Sequence, residues 1–182
     1  QKIMGLNVSG IAIDNNFGKD IHQLAQYIGQ IWQPTKDVSF RAATSFKSGK
    51  WVDVYFTEKG VLLFNDNPFI IQADNTSNKI ILSFGILEIA ESYTFELFSN
   101  GSSIRSMVVS DGEMAENEGD ALSYETHLTP PSDMSTEDID ELSEAYIGYE
   151  DYIGNLIWAI VGDIIGEDVW KNKPTFQRCI VL

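Results

Sequence analysis

The apolar positions of the chain repeat with two spacings, one typical of helices and the other typical of strands. The helical spacing occurs near the N-terminus, in the residues Ile21, Leu24, Ala25, Ile28, Ile31 and Trp32. Side chains three and four positions apart share one face of a helix, so this repeat predicts a helix from about 19 to 32. Pro34 is expected to end it, because proline has no amide proton to continue the helical hydrogen bonds.

A spacing of two, typical of strands, occurs both before and after this predicted helix. It predicts strands at 3–13, 51–56, 61–64, 69–73, 79–89 and 176–182 and a hairpin over 92–109. The hairpin is expected to turn at Asn100-Gly101, because both positions of such a tight turn need a positive φ.

The region from 111 to 151 differs from both patterns. Residues 111 to 120 are predicted to form an acidic loop, and the Pro-Pro linker at 129–132 cannot be helical. Ser135-Thr136-Glu137-Asp138 resembles a capping box and predicts a helix that begins near 136.

That helix is expected to break at Gly148, and a second, more apolar helix follows through Ile164. Four glycines fall in or beside this helical pattern, which we attribute to close helix packing: Gly148, Gly154, Gly162 and Gly166. The chain is therefore predicted to form a single α+β domain over 1–182. It would contain a mainly antiparallel sheet with one N-terminal helix and a C-terminal helical pair packed on it.

Charge is distributed unevenly along the 182 residues, whose formal net charge is −15. Residues 1 to 110 are nearly balanced, whereas residues 111 to 170 contain seventeen acidic side chains and no lysine or arginine. Binding to nucleic acid or to an anionic membrane needs basic side chains, so both are excluded as expected partners. A basic protein is the expected partner, because a cationic surface would neutralise these carboxylates.

Few side chains could perform catalysis. Of the two histidines, His22 lies on the polar side of the first predicted helix, and His127 lies near Glu125 and Asp133. A carboxylate beside His127 could orient its ring, so these three residues are the candidate catalytic site. The single cysteine, Cys179, lies in an apolar run and is expected to be buried and unreactive. No metal-binding or nucleotide-binding motif is present, and no cofactor is predicted.

A resemblance to known domains is carried by Phe95-Glu96, Asn100-Gly101 and Arg105, followed by Gly119, Leu122 and Glu125. This stretch resembles a hairpin module of uncharacterised small acidic bacterial domains. Some of these are similar to proteins encoded beside polymorphic toxins, where acidic immunity proteins are common. The resemblance implies no catalytic residues.

Three hypotheses about function follow, of which the last is a structural or scaffold subunit whose acidity only keeps it soluble. In the first, the protein is a non-enzymatic binding domain that presents 111–151 to a basic protein, for example as an immunity-type inhibitor. Its expected binding residues are carboxylates at helical spacing and two tyrosines: Glu137, Asp140, Glu141, Glu144, Tyr124 and Tyr146. In the second, it is a hydrolase or metal-dependent enzyme with its site near His127. The oligomeric state stays open. A cytoplasmic location is expected from the lone cysteine, and a signal peptide upstream of Gln1 is the open alternative.

Overall fold

The computed structural model describes residues 6–45, 49–65, 79–128 and 148–182. Its strands are β1 Asn7–Ile13, β2 Trp32–Val38, β3 Trp51–Phe56, β4 Val61–Asn65, β5 Ile80–Leu87, β6 Ser92–Ser99, β7 Ser102–Ser110, β8 Glu113–Gly119 and β9 Phe176–Val181. Its α-helices are α1 Ile21–Ile28, α2 Phe40–Ala43, α3 Tyr149–Ile165 and α4 Val169–Asn172. Short 3-10 turns lie at Phe17–Lys19, Glu88–Ala90 and Ser123–His127.

The described strands form one antiparallel sheet in the order β2-β9-β3-β4-β1-β5-β6-β7-β8. The sheet therefore has two edges, β2 at one end and β8 at the other. The hairpin predicted over 92–109 is confirmed, because β6 and β7 pair directly across Asn100 and Gly101. These two residues have φ values of 51° and 81°, as the tight turn requires.

Each face of the sheet packs against a different helix. Along every strand the side chains alternate between the faces, so β1 sends Val8 and Ala12 to one side and Ile11 and Ile13 to the other. The first side, called the inner face here, packs against the buried stripe of α3. The second side, the outer face, packs against α1 near β1, β2, β3, β4, β9, the start of β5 and the end of β6. Within the described residues, no helix covers the outer face of β6, β7 and β8 beyond Phe98 at the end of β6.

The first predicted helix is shorter than expected. α1 ends at Ile28 because Gly29 adopts a left-handed conformation with φ 79°, and Trp32 begins the edge strand β2 instead. Trp32 still packs with α1, which explains why it fits the helical spacing. Pro34 is tolerated in β2 because an edge strand leaves half of its amide groups without a strand partner.

The acidic loop predicted over 111–120 is wrong, since most of it is the strand β8. Asp111 and Gly112 have φ values of 52° and 75°, so they form a second tight hairpin turn like the one at Asn100-Gly101. The backbone pairing with β7 does not depend on side-chain polarity, and charged side chains are usual on edge strands. Composition therefore obscured a turn signal that the sequence contained.

The α+β class with a large antiparallel sheet is confirmed. The strand predicted at 69–73, the linker at 129–132 and the helix expected from about 136 lie outside the described residues. Gly148 immediately precedes α3, where the earlier helix was expected to break. None of the described helices combines the length and the apolar character needed to cross a membrane.

Candidate functional site

The open outer face of β6, β7 and β8 collects carboxylates from two strands. Register places Glu96 opposite Ser106 and Ser106 opposite Glu118, so the three residues form one row across the sheet. Glu116 pairs with Val108 in the next row, and Glu113 pairs with Ser110 beyond it. Paired residues point to the same face, and the neighbouring Met107 and Val109 point inward to the core.

We call Glu96, Glu113, Glu116 and Glu118 the acidic face. All four side chains are exposed. β6 and β8 contain no lysine or arginine, and the only one in β7, Arg105, points to the inner side. Within these three strands, no cation therefore neutralises the acidic face. Serine and threonine side chains between the glutamates give it hydrogen-bonding capacity as well.

Behind the acidic face, Arg105 and Glu125 form an ion pair with only 4% and 6% of their side-chain surfaces exposed. The guanidinium donates two hydrogen bonds to the carboxylate, from Nε at 3.1 Å and from Nη2 at 2.8 Å. Its Nη1 donates to Oδ1 of Asn117 at 2.6 Å and to the carbonyl oxygen of Glu118 at 2.8 Å. Arg105 thus ties β8 to the 3-10 turn that holds Glu125, and it fixes the edge strand that bears the glutamates.

Glu125 accepts further hydrogen bonds from the Leu122 amide and, at 3.4 Å, from the Tyr152 hydroxyl of α3. Burial alone would raise the pKa of Glu125. The hydrogen bonds from Arg105 and Leu122 and the charge of Arg105 outweigh it, so the pKa lies below its ordinary value. Such a carboxylate stays ionised near neutral pH and is a weak base. Its geometry is that of a structural anchor for the β8 edge.

Tyr124 lies beside this ion pair and is partly buried against the core. Burial raises the pKa of its phenol, and the charges of Asp163 and Glu125 raise it further. Tyr152 is also partly buried, and burial likewise raises its pKa, followed by the charge of Glu125. The expected binding residue Tyr124 therefore presents only part of its ring to solvent.

Most of the other binding and catalytic residues predicted from the sequence lie outside the described part of the chain. Five expected binding residues lie outside the described residues: Glu137, Asp140, Glu141, Glu144 and Tyr146. Asp133 also lies outside them, as does the side chain of His127, whose backbone closes the turn Ser123–His127. Of the candidate catalytic group, only Glu125 can therefore be placed.

A second buried ion pair joins two strands on the inner face. Arg178 of β9 donates to Asp53 of β3 from Nε at 2.7 Å and from Nη2 at 2.8 Å. Asp53 is fully buried, and the guanidinium also lies 5.9 Å from the Trp51 ring centre. Cys179, the next residue of β9, is buried as predicted, and burial followed by the charge of Asp53 raises the pKa of its thiol to about 12. A thiol with that pKa is unreactive near neutral pH.

Over the described ranges, no three histidine, cysteine, aspartate or glutamate side chains are arranged to hold a metal ion. Comparisons with protein-family models, with curated proteins and with solved structures gave no match to this chain. The resemblance of the β6–β7 hairpin region to acidic immunity-type domains therefore stays an expectation.

Proposed function

We propose that this protein is a non-enzymatic binding domain that presents its acidic face to a basic protein. The observation that carries the proposal is the register of β6, β7 and β8, which places Glu96, Glu113, Glu116 and Glu118 on one open side of the sheet. These side chains are exposed, and no basic side chain of the three strands shares their face.

The arrangement has an electrostatic consequence. Glu116 and Glu118 lie two positions apart on one strand, so their Cα atoms are separated by roughly 6.7 Å. Like charges at that distance repel one another, and a single lysine in the intervening rows would have relieved the repulsion. A cationic partner would relieve it on binding, and the field of the face would speed its approach.

The shape supports a protein partner rather than a small molecule. A sheet face that no described helix covers offers a broad surface, whereas sites for small molecules are concave and enclose most of their ligand. Arg105 holds the β8 edge from behind through Asn117 and the Glu118 carbonyl, so the glutamates start from fixed backbone positions. Preorganisation of this kind reduces the entropy lost on binding.

An immunity-type inhibitor of a cationic toxin is the concrete form of this proposal. It is supported by the net charge of −15 and by the absence of lysine and arginine from residues 111 to 170. Glu137, Asp140, Glu141 and Glu144 belong to the same proposal as further carboxylates for the partner. A solvated face without a partner is the competing interpretation.

Charge reversal tests the proposal. The variant Glu116→Lys/Glu118→Lys is compared with Asp37→Lys/Asp163→Lys, which makes the same change in net charge at exposed positions away from the acidic face. Each protein, immobilised, is used to capture binding partners from a lysate of the producing cells. Captured proteins are identified by mass spectrometry, and association rates with the purified partner are then measured.

We expect the wild-type protein and the control variant to retain a basic partner that the acidic-face variant loses. Its association should slow about tenfold at low salt and less at 0.5 M salt, because salt screens exposed charges. If all three proteins retain the same partner with equal association rates, the acidic face is only a solvated surface.

A further inference from the structure

An open groove of about 700 Å³ runs along α3 on the side of the sheet opposite the acidic face. The side chains of Trp158 and Trp170 contribute its aromatic wall, and Ile86 of β5 and Leu6 extend its apolar surface. The two indole rings meet edge to face, with their centres 5.4 Å apart. The groove is therefore an aromatic surface that the described residues cover only in part.

The described residues that line the groove include no lysine or arginine, although Lys59 lies beside Gly166 at its edge. Four carboxylates also line it: Glu88, Asp151, Glu167 and Asp168. Three of them accept hydrogen bonds from neutral donors, namely the amide of Leu6, the hydroxyl of Tyr55 and the amide of Lys171. These bonds orient the carboxylates but leave their negative charge in place. The groove thus combines an apolar wall with an anionic rim.

Two glycines of α3 keep the groove open. A Cβ atom added at Gly154 would meet the Tyr93 ring at 3.6 Å, and one added at Gly162 would meet the Glu167 carbonyl oxygen at 3.5 Å. Both are ordinary van der Waals distances, so contacts with the described residues do not require glycine at either position; the helix predicted from about 136, against which they were expected to pack, lies outside the described residues. Glycines inside a helix destabilise it relative to alanine, because their backbone loses more conformational freedom on folding. The benefit they bring is the space in the groove.

One of the two indole rings, that of Trp170, already contacts a cation. Nζ of Lys173 lies 4.0 Å from the centre of the Trp170 ring and 4.7 Å from that of Phe40. Tryptophan binds cations over its ring more strongly than other aromatic side chains do. A second cation entering from the groove would meet both indole surface and carboxylates.

We propose that this groove binds a short, extended segment of a partner polypeptide that carries lysine or arginine beside apolar residues. The groove follows α3 from Asp151 to Gly162, a distance of about 17 Å at 1.5 Å per helical residue. An extended peptide advances about 3.3 Å per residue, so roughly five residues fill that length. The segments 66–78 and 129–147 of the chain contain no lysine or arginine and could not supply the cation.

The test uses the full-length chain and the pentapeptide acetyl-Lys-Leu-Lys-Leu-Lys-amide as the probe. Binding is followed by isothermal titration calorimetry and by the indole N–H signals of the four tryptophans in nuclear magnetic resonance spectra. We expect saturable binding that shifts the signals of Trp158 and Trp170 and leaves those of Trp32 and Trp51 unchanged. Two outcomes would overturn the proposal. If acetyl-Glu-Leu-Glu-Leu-Glu-amide binds with equal affinity, the groove does not require a positive charge. If n-butylammonium binds with equal affinity, the groove is a site for a small cation and not for a peptide.

Variants locate the site. Gly162→Leu should fill the groove and weaken the probe at least about tenfold, whereas Gly162→Ala should keep its affinity within about twofold. Asp151→Asn should weaken the probe about two- to fivefold, while the matched change Asp163→Asn, on the same helix but outside the groove, should have no effect. Equal effects in either pair would contradict the proposal.

Two further variants separate this site from the alternatives. Glu116→Lys/Glu118→Lys should leave the Trp158 and Trp170 shifts unchanged, because the acidic face lies on the other side of the sheet. A loss of the shifts in that variant would assign the probe to the acidic face and overturn the groove proposal alone. If Lys2→Gln strengthens probe binding about tenfold, the chain's own Lys2 competes for the groove, and the partner segment proposed here is wrong.

Discussion

Replacing Arg105 with Met should leave the Glu125 carboxylate buried without its cation. Only 6% of that side chain's surface is exposed, and its remaining donors are the Leu122 amide and the Tyr152 hydroxyl. Breaking a buried ion pair by removing one partner costs about 3–5 kcal/mol of unfolding free energy, because the other charge stays desolvated. We expect Arg105→Met to lie toward the upper end of that range.

The reverse change, Glu125→Leu, should cost somewhat less. The Arg105 guanidinium would keep its hydrogen bonds to Asn117 and to the Glu118 carbonyl, which satisfy part of its donors. The double variant removes both charges, so its loss should be smaller than the sum of the two single losses by about 2–3 kcal/mol. It should still be less stable than the parent, since the Glu118 carbonyl and the Leu122 amide lose their partners.

The three variants and the parent form a double-mutant cycle, which urea unfolding followed by circular dichroism at pH 7 can measure. Because a single variant could fail to fold, Glu125→Gln provides a milder change that keeps one hydrogen-bond acceptor for Arg105. A coupling free energy below about 0.5 kcal/mol would refute the argument, because it would mean that the two side chains stabilise the fold independently.

Three further predictions concern the turn, the cysteine and acid. Gly101→Val should lower the unfolding free energy by about 1–2 kcal/mol, because its φ of 81° is strained for a β-branched residue; a variant as stable as the parent in thermal unfolding would contradict this. Cys179 should react slowly with a thiol reagent in the native protein and fast in denaturant, and rapid native labelling would show that it is accessible. Because the folded pKa of Glu125 is lowered, its contribution to stability is present above the unfolded value near 4.5 and is lost as the pH falls through the folded value. Between pH 6 and pH 3 the parent should therefore lose more stability than Glu125→Gln, and equal losses would contradict the shift.

Local patterns were sufficient for much of the fold. Turn chemistry predicts the turn at Asn100-Gly101, and apolar spacing predicts the two strands that flank it. The apolar run around Cys179 likewise predicts that this residue is buried. The strand β2 was not predicted at all, because Trp32 satisfies the helical spacing while it packs against α1 from a strand, and Pro34 was interpreted as the end of the helix. β8 was missed because its acidic composition was given more weight than the Asp111-Gly112 turn that begins it.

The sequence predicted that the candidate site is rich in carboxylates, but it did not predict which residues form the acidic face. A surplus of carboxylates over residues 111 to 170 is visible in the sequence, and a basic partner was proposed from it. Glu96 lies outside that stretch, and it joins Glu118 only because both strands pair with β7 through Ser106. The turn at Asn100-Gly101 specifies the first of these pairings, but the second depends on the turn at Asp111-Gly112, which the composition of the stretch obscured.

The sequence by itself determined the class of the fold, the positions of its tight turns and the sign of its charge. These properties depend on residues close together in the chain, where spacing and backbone preference act directly. The tertiary structure decided which charges are exposed and which are paired. Arg105 and Glu125 are twenty positions apart, and Asp53 and Arg178 are one hundred and twenty-five apart. Their burial follows from strand order, which is set by the packing of the whole core and not by any one segment.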